Sequence, residues 1–349
     1  MLSEASYRAV VCEALGPPES LRLRSLPRIA LAPGSVRVAL RAAGINFPDA
    51  LMIEGRYQHR PQIPFVPGLE AAGVVIEAAA DVEGGDVGAR VIVRMQGGGY
   101  AEEAVVPASA LVPLPRGFSF AEGATFLAAH ITAYHALQTR ARLAAGQSLL
   151  VLGAGGGVGL AAVQIGRVLG ARVFAAASSE TKLELARRHG AAHAINYVEE
   201  PIDAAVRRLT AGKGVDAVFD PVGIDAPSAV RCLRWNGTLL IVGFAGGSIP
   251  AYAANRLLLK GSSVLGVRAG EAGRRDPALR RDELRALLGL AADDRVRPVV
   301  SETFPLEAYA EAMRRVTARR ALGRLAFVMQ PQGGPARGAP QDLHAASPG

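Results

Sequence analysis

Cysteine is nearly absent from this chain of 349 residues: Cys12 and Cys232 are the only two, and they lie far apart. Two such thiols supply neither a disulfide framework nor a four-cysteine zinc site. Lysine is also scarce, occurring only at positions 182, 213 and 260, so arginine carries nearly all the positive charge. No apolar run reaches the length of a membrane span, because Gly, Arg or Asp interrupts each candidate. The opening residues, MLSEASYRAVVCEALG, lack the basic-then-apolar layout of a signal peptide. These absences lead to the expectation of a reduced, cytoplasmic protein without a membrane partner.

What is present is apolar and rich in glycine. Half of the residues are hydrophobic, enough for two domains with cores of their own. The net charge of +8 raises the question of nucleic acid. However, the arginines come as scattered pairs, such as Arg187-Arg188, Arg207-Arg208 and Arg314-Arg315. Such pairs read as solvated helix faces rather than a binding stripe.

From residue 1 to about 125, short apolar runs alternate with Gly and Pro, as in SVRVALRAAGIN, AAGVVIEAAA and ARVIVRM. These predict an irregular β domain. Near residue 120 the pattern changes to an Ala-rich helical stretch over Phe120–Gln138. SLLVLGAGGGVGLAAVQIGRVLGARVFAAASS then reads strand, turn, helix, strand, and the alternation continues through VDAVFDPVG, GTLLIVGFAGG and SSVLGVRAG. Strands alternating with helices predict an α/β domain with a doubly wound parallel sheet. Its strands SLLVLG and TLLIVG lack period-2 alternation, as expected where both faces are covered. Helices are predicted over Asp276–Ala292 and Leu306–Ala318, then a strand over Gly323–Met329. The Gly-, Pro- and Ala-rich residues 331–349 predict a disordered tail.

The turn GAGGGVG at 153–159 carries Ala154-x-Gly156-x-x-Gly159, an alanine-initiated form of the dinucleotide fingerprint. Small residues let the backbone approach a pyrophosphate at the positive end of the following helix, so Ala154, Gly156, Gly157 and Val158 are candidate cofactor contacts. The next strand, Ala171–Ala177, ends in Ala177-Ser178-Ser179, where NAD-binding sites usually place an acid for the ribose 2′-hydroxyl. With no carboxylate there, Ser178 and Lys182 would suit the additional phosphate of NADPH. The plainer alternative makes Ser178 a helix cap and Lys182 a solvated residue.

Several ordered motifs resemble one family. Gly44-Ile45-Asn46-Phe47-Pro48-Asp49, Gly55-Arg56-Tyr57, Pro64-Phe65-Val66-Pro67-Gly68-Leu69-Glu70, AAHITAYHAL, AINY, DPVGID and TFPLEAYAEAMRRVTARRALGRLAFVM stand in the order found in quinone oxidoreductases. These are the zinc-independent, zeta-crystallin-like branch of the medium-chain dehydrogenase/reductase superfamily, and the resemblance covers about residues 1–329. It implies a GroES-like catalytic domain over 1–125 completed by 268–330, a Rossmann domain over 126–267, and a homodimer joined through the edge strand Ser262–Val267. Zinc-dependent relatives place a Cys ligand where Asn46 stands and a His where Leu69 stands, so the resemblance implies no metal.

It further implies that Asn46 and Thr132 hold the nicotinamide ribose and ring, and that Tyr197 lies near the 2′-phosphate. Backbone around Gly243, Phe244 and Val267 would meet the carboxamide. Tyr57 would face the acceptor oxygen, although a packed aromatic with its hydroxyl at the surface is the competing reading. Asp49 is expected to orient its loop. The implied activity is hydride transfer from NADPH to a quinone; reduction of an enone or enoyl-thioester C=C bond is the alternative. A third possibility is an NADPH-binding protein with an RNA-binding or structural role.

Overall fold

The computed structural model describes residues 6–83, 86–224 and 226–329, so the tail expected over 331–349 lies outside the described residues. The N-terminal part holds strands β1 (Ser6–Val11), β2 (Arg22–Pro27), β3 (Ser35–Ile45), β4 (Glu70–Ala78), β5 (Arg90–Arg94), β6 (Glu103–Pro107) and β7 (Leu111–Pro113). A short helix, α1 (Phe47–Ile53), interrupts them; the strand-and-turn reading of this region did not include it. Pro48 stands in its first turn, where a missing N–H costs nothing.

The chain then builds α2 (Phe120–Tyr134), β8 (Ser148–Leu152), α3 (Gly157–Val168), β9 (Arg172–Ala177), α4 (Glu180–Arg188) and β10 (His193–Asn196). Next come α5 (Ile202–Leu209), β11 (Val215–Asp220), α6 (Ala226–Cys232), β12 (Leu233–Ile241), α7 (Ala254–Lys260) and β13 (Ser263–Gly266). Last are α8 (Ala269–Arg275), α9 (Pro277–Ala292), β14 (Val300–Pro305), α10 (Tyr309–Thr317) and β15 (Arg324–Val328).

Strands β8 to β13 form one parallel sheet in the order β10-β9-β8-β11-β12-β13. Numbered along the chain this is 3-2-1-4-5-6, the doubly wound Rossmann order, with its switch point between β8 and β11. β8 shows why SLLVLG does not alternate. Leu149 and Val151 enter one core while Leu150 and Leu152 enter another, so all four are buried.

The other large sheet is GroES-like and runs β14-β15-β3-β4-β5-β7, with β6 also on β3. β15 lies antiparallel to β3, pairing Leu325 with Ile45 and Ala326 with Gly44, so the last described strand completes a sheet begun near the N-terminus. Helix α2 packs on β3 and β4 on one side and on α3 on the other. It therefore joins the two sheets.

The boundaries differ from expectation where local chemistry decides them. Gly156, extended at φ −89 and ψ 170, is the cap of α3, so the helix already starts at Gly157, inside the stretch read as a turn over 153–159. The Asp276 side chain accepts from the Leu279 N–H at 2.9 Å and caps α9, separating it from the unexpected α8. The Phe120–Gln138 stretch is α-helical only to Tyr134 and continues as a π turn over His135–Arg140. The widened turn brings His135 and Thr139 onto one carboxylate, Glu283 of α9, each at 2.7 Å. The stretch expected over Leu306–Ala318 opens as a 3-10 turn before α10.

Candidate active site

The glycine-rich turn leaves β8 through Gly153, whose φ of +59 suits a residue without a side chain. Ala154 is fully buried and its N–H donates to the Ala176 carbonyl at 3.1 Å, tying the turn to β9. At Gly159 a Cβ would stand 2.2 Å from the Gly153 carbonyl oxygen, so α3 can cross the turn only with glycine there. A Cβ at Gly156 would meet little, only that same oxygen at 3.4 Å, which leaves the backbone open to an approaching group. The turn is walled by two cationic side chains. A Cβ at Gly155 would lie 2.5 Å from Lys182 Cβ, and one at Gly157 would lie 2.3 Å from Arg324 Cδ. The Gly323 N–H donates to Gly155 O at 2.8 Å, bringing the start of β15 against the turn. Val158 is half-buried against the neighbouring core.

Beside this turn, the carboxyl ends of the parallel strands gather the other expected cofactor residues. β9 ends at Ala177, and β10 pairs Asn196 with it. The Tyr197 N–H donates to Ala177 O at 3.3 Å, so Tyr197, itself 42% exposed, stands beside Ser178. The Lys182 ammonium donates to Arg319 O at 3.0 Å, and partial burial pushes its pKa down. It is not the freely solvated lysine of the plainer reading. Gly243 donates to Asp220 O at 3.3 Å, and Val267, almost buried, donates to Ile241 O at 2.9 Å. The Phe244 ring leans over Gly223, where a Cβ would come within 3.0 Å of it.

Asp220 organises this end of the sheet and was not singled out from sequence. Its buried carboxylate accepts from the N–H groups of Val222 and Gly223, each at 2.8 Å, and of Ile224 at 3.2 Å. Burial pushes its pKa up, against those three donors. An acid at the end of an apolar strand, followed by Pro221 and Gly223, was the available signal.

The second group centres on Asn46, which follows β3. Its side-chain nitrogen donates to Glu70 Oε1 at 3.3 Å, and its side-chain oxygen accepts from Arg324 Nη2 at 2.8 Å. Arg324 also pairs directly with Glu70, whose second oxygen accepts from the Ala128 N–H of α2 at 2.9 Å. Thr132 lies one turn further along α2, and its hydroxyl donates back to Ala128 O at 2.7 Å. Its hydrogen is therefore engaged, and its lone pairs remain for a donor. Beneath Asn46, Asp49 accepts from the Asn46 N–H and from the Tyr100 hydroxyl, both at 2.8 Å. Full burial is the main cause that pushes the Asp49 pKa up to about 7. The loop-orienting role expected of Asp49 has this geometry.

Tyr57 is half-buried and within electrostatic reach of the Arg94 guanidinium. Glu70 and Arg324 were missed as site residues. Glu70 appeared only as part of a motif, and Arg324 as the charged start of an otherwise apolar strand. An ionisable residue inside a buried run is itself a signal, since such groups persist only when paired.

Residues 32–116 match the alcohol dehydrogenase GroES-like domain, and residues 157–291 match the zinc-binding dehydrogenase family. Quinone oxidoreductase-like protein 2 homolog of Nematostella vectensis is 38% identical over 324 residues, covering 92% of this chain and 88% of that one. The quinone oxidoreductase of Thermus thermophilus, whose structures include a complex with NADPH, superposes with a TM-score of 0.81 at 35% identity. The match covers 92% of this chain and 100% of that one. An NAD-dependent alcohol dehydrogenase superposes with a TM-score of 0.83 at 31% identity, over 93% of this chain and 100% of that one. The chain belongs to the medium-chain dehydrogenase/reductase superfamily, and within it to the quinone oxidoreductase branch. It is an oxidoreductase.

Proposed function

We propose that the enzyme reduces a quinone with NADPH and does so without a metal. The observation that carries this reading is the position of Arg324. Its stem packs on the glycine-rich turn at Gly157, while its guanidinium holds both Asn46 and Glu70. One cation thus already occupies the donor groups that a zinc ion would need, and Leu69 offers no donor in the place of a histidine. Zinc does not fit this donor set, despite the name of the family matched by residues 157–291.

A dinucleotide does fit. The open backbone at Gly156 and the amino end of α3 suit its pyrophosphate, with Ala154, Gly157 and Val158 framing the turn. Similar structures include both NADPH and NAD users, so the choice has to come from this chain's own residues. Ala177 supplies no acid, while Ser178, Lys182 and Tyr197 offer neutral and charged donors at one strand end. We assign these three to the 2′-phosphate, Asn46 and Thr132 to the nicotinamide riboside, and the backbones of Gly243, Phe244 and Val267 to the carboxamide. The bound nicotinamide supplies the hydride. Tyr57 orients the acceptor and donates a hydrogen bond to the oxygen on which charge develops.

We also assign the catalytic domain to 1–125 with 268–330 and the cofactor domain to 126–267, in a cytoplasmic homodimer. β13 is an edge strand of the parallel sheet, and Leu258, Leu259 and Trp235 beside it are each at least 65% exposed. Among the described residues no helix is long and apolar enough to cross a membrane. The test of function is NADPH oxidation against quinones, enones and enoyl-CoAs. Quinones turning over fastest is the expected result. A preference for enoyl-CoAs would move the chemistry to C=C reduction, and binding without any turnover would make this a cofactor-binding protein.

A further inference from the structure

Residues 293–299 carry the chain from α9 back to β14, and Arg297 within them is bound from two sides. Gln164, buried on α3, clasps its backbone. The Gln164 side-chain nitrogen donates to Arg297 O at 2.8 Å, and the Arg297 N–H donates to the Gln164 side-chain oxygen at 3.0 Å. These two opposite contacts fix which way the amide faces. Its second N–H goes to His189 Nδ1 at 3.2 Å, and His130 Nε2 of α2 stands 3.2 Å from its oxygen. The Arg297 side chain turns the other way. Its guanidinium forks onto Glu122 at the start of α2, at 2.5 and 3.1 Å, and donates to Gly117 O at 2.8 Å. Glu122 in turn caps α2 by accepting from the Ser119 N–H at 2.7 Å.

These contacts supply what the apolar packing of the two helices lacks. α2 brings Ala129 and Ala133 to the shared core, and α3 brings Ala161 and Ala162. Burying small, smooth side chains is non-directional, so it resists separation of the helices more than sliding. Hydrogen bonds have direction and hold a register. A narrow gap lined by Leu160, Ala161, Pro298 and Val299 runs beside the clasp, so packing alone leaves α3 loosely held there.

The two helices serve opposite ends of the cofactor. The amino end of α3 suits the pyrophosphate. α2 carries Thr132, and its Ala128 N–H holds Glu70 beside Asn46. Asn46 and Thr132 are the residues assigned above to the nicotinamide riboside.

We propose that Arg297 is a positioning residue for hydride transfer. Anchored to α3 through its backbone and to α2 through its side chain, it sets the distance between the pyrophosphate seat and the nicotinamide seat. This rests on the cofactor reading above and adds to it a residue that acts through two helices.

The test compares wild type with Gln164→Met, which frees the Arg297 backbone from α3, with Arg297→Met, which frees α2, and with the double variant. Each is titrated with NADPH and with 2′-phospho-ADP-ribose, a fragment that lacks the nicotinamide ring and needs only the α3 side of the site. The advantage of NADPH over the fragment is expected to fall about tenfold in each single variant, while affinity for the fragment itself holds. Single-turnover hydride transfer to 1,4-naphthoquinone should slow about tenfold as well. Because the two anchors act in series, the double variant should lose no more than either single one. Undiminished fragment binding also shows that the variants fold. Losses that add in the double variant, or an unchanged NADPH advantage in both single variants, would overturn the positioning role. A fragment that weakens as much as NADPH would overturn it too, since the clasp then merely supports the fold. Should wild type reduce no quinone, the quinone reading fails, and the binding comparison still decides the role of Arg297.

Discussion

The Arg324 guanidinium donates to the Asn46 side-chain oxygen at 2.8 Å although 278 residues separate the two. This contact fixes which way the Asn46 amide faces, because its nitrogen must then point toward Glu70 and Gly44. It also explains why the last described strand belongs to the sheet begun by β3. The pairing of β15 with β3 carries Arg324 into the site.

Arg324→Gln is expected to lower stability by about 3–5 kcal/mol, the usual cost of leaving one member of a buried ion pair alone. Adding Glu70→Gln should recover part of that loss, since no buried charge is then stranded. Urea unfolding of the two single variants and the double variant measures this. Strictly additive losses would show that Arg324 and Glu70 act independently.

Asp49 gives a pH signature. Its native pKa of about 7 lies above the ordinary 3.8, so the folded protein holds a proton that the unfolded chain has already lost. Stability from this group is complete below about pH 4 and is lost as pH rises through about 7. Asp49→Asn removes the titration and keeps an oxygen for the Tyr100 hydroxyl and the Asn46 N–H. Urea midpoints at pH 5 and pH 8 should therefore show the variant gaining on wild type at the higher pH. Parallel changes in the two proteins would contradict the buried, protonated carboxyl.

The parts of this molecule that follow from short-range rules were legible in the sequence. The strand Ser148–Leu152, the small residues of the turn and the absent acid at Ala177 all depend on neighbours a few residues away. Asn46 was legible as well, through the motif around it. Glu70, Arg324 and Asp220 were not. Their roles come from partners brought close by sheet pairing and burial, and a sequence reading assigns buried ionisable groups no partner in advance. The π turn at His135 escaped for the same reason, because Glu283 lies on α9, 148 residues away. Lys182 was legible as a cation just past the end of β9, but its bond to the Arg319 carbonyl depends on the approach of the chain after α10.

Lys182→Ala should weaken NADPH binding about ten- to a hundredfold while leaving NADH binding nearly unchanged. An ammonium has three donors, so the bond to Arg319 O leaves two for a phosphate. The NADPH advantage should shrink as salt rises. Fluorescence titration of both cofactors at two salt concentrations measures it, and equal losses for the two would return Lys182 to a supporting role.

Leu258→Asp with Leu259→Asp should convert a dimer to a monomer. Both leucines lie on α7, more than 70% exposed, next to the open edge of β13. Light scattering should give twice the chain mass of 36.2 kDa for wild type and the single mass for the variant. A wild-type monomer at micromolar concentration would remove the edge strand from the interface.

Metal-free reduction of a quinone by NADPH is tested most directly by one measurement. Protein stripped with a chelator and verified by elemental analysis is given 1,4-naphthoquinone with either NADPH or NADH, and nucleotide oxidation is followed by absorbance. Full activity without zinc, and faster oxidation of NADPH than of NADH, is the expected result. Activity that disappears with the metal and returns on adding zinc, or a preference for NADH, would contradict it.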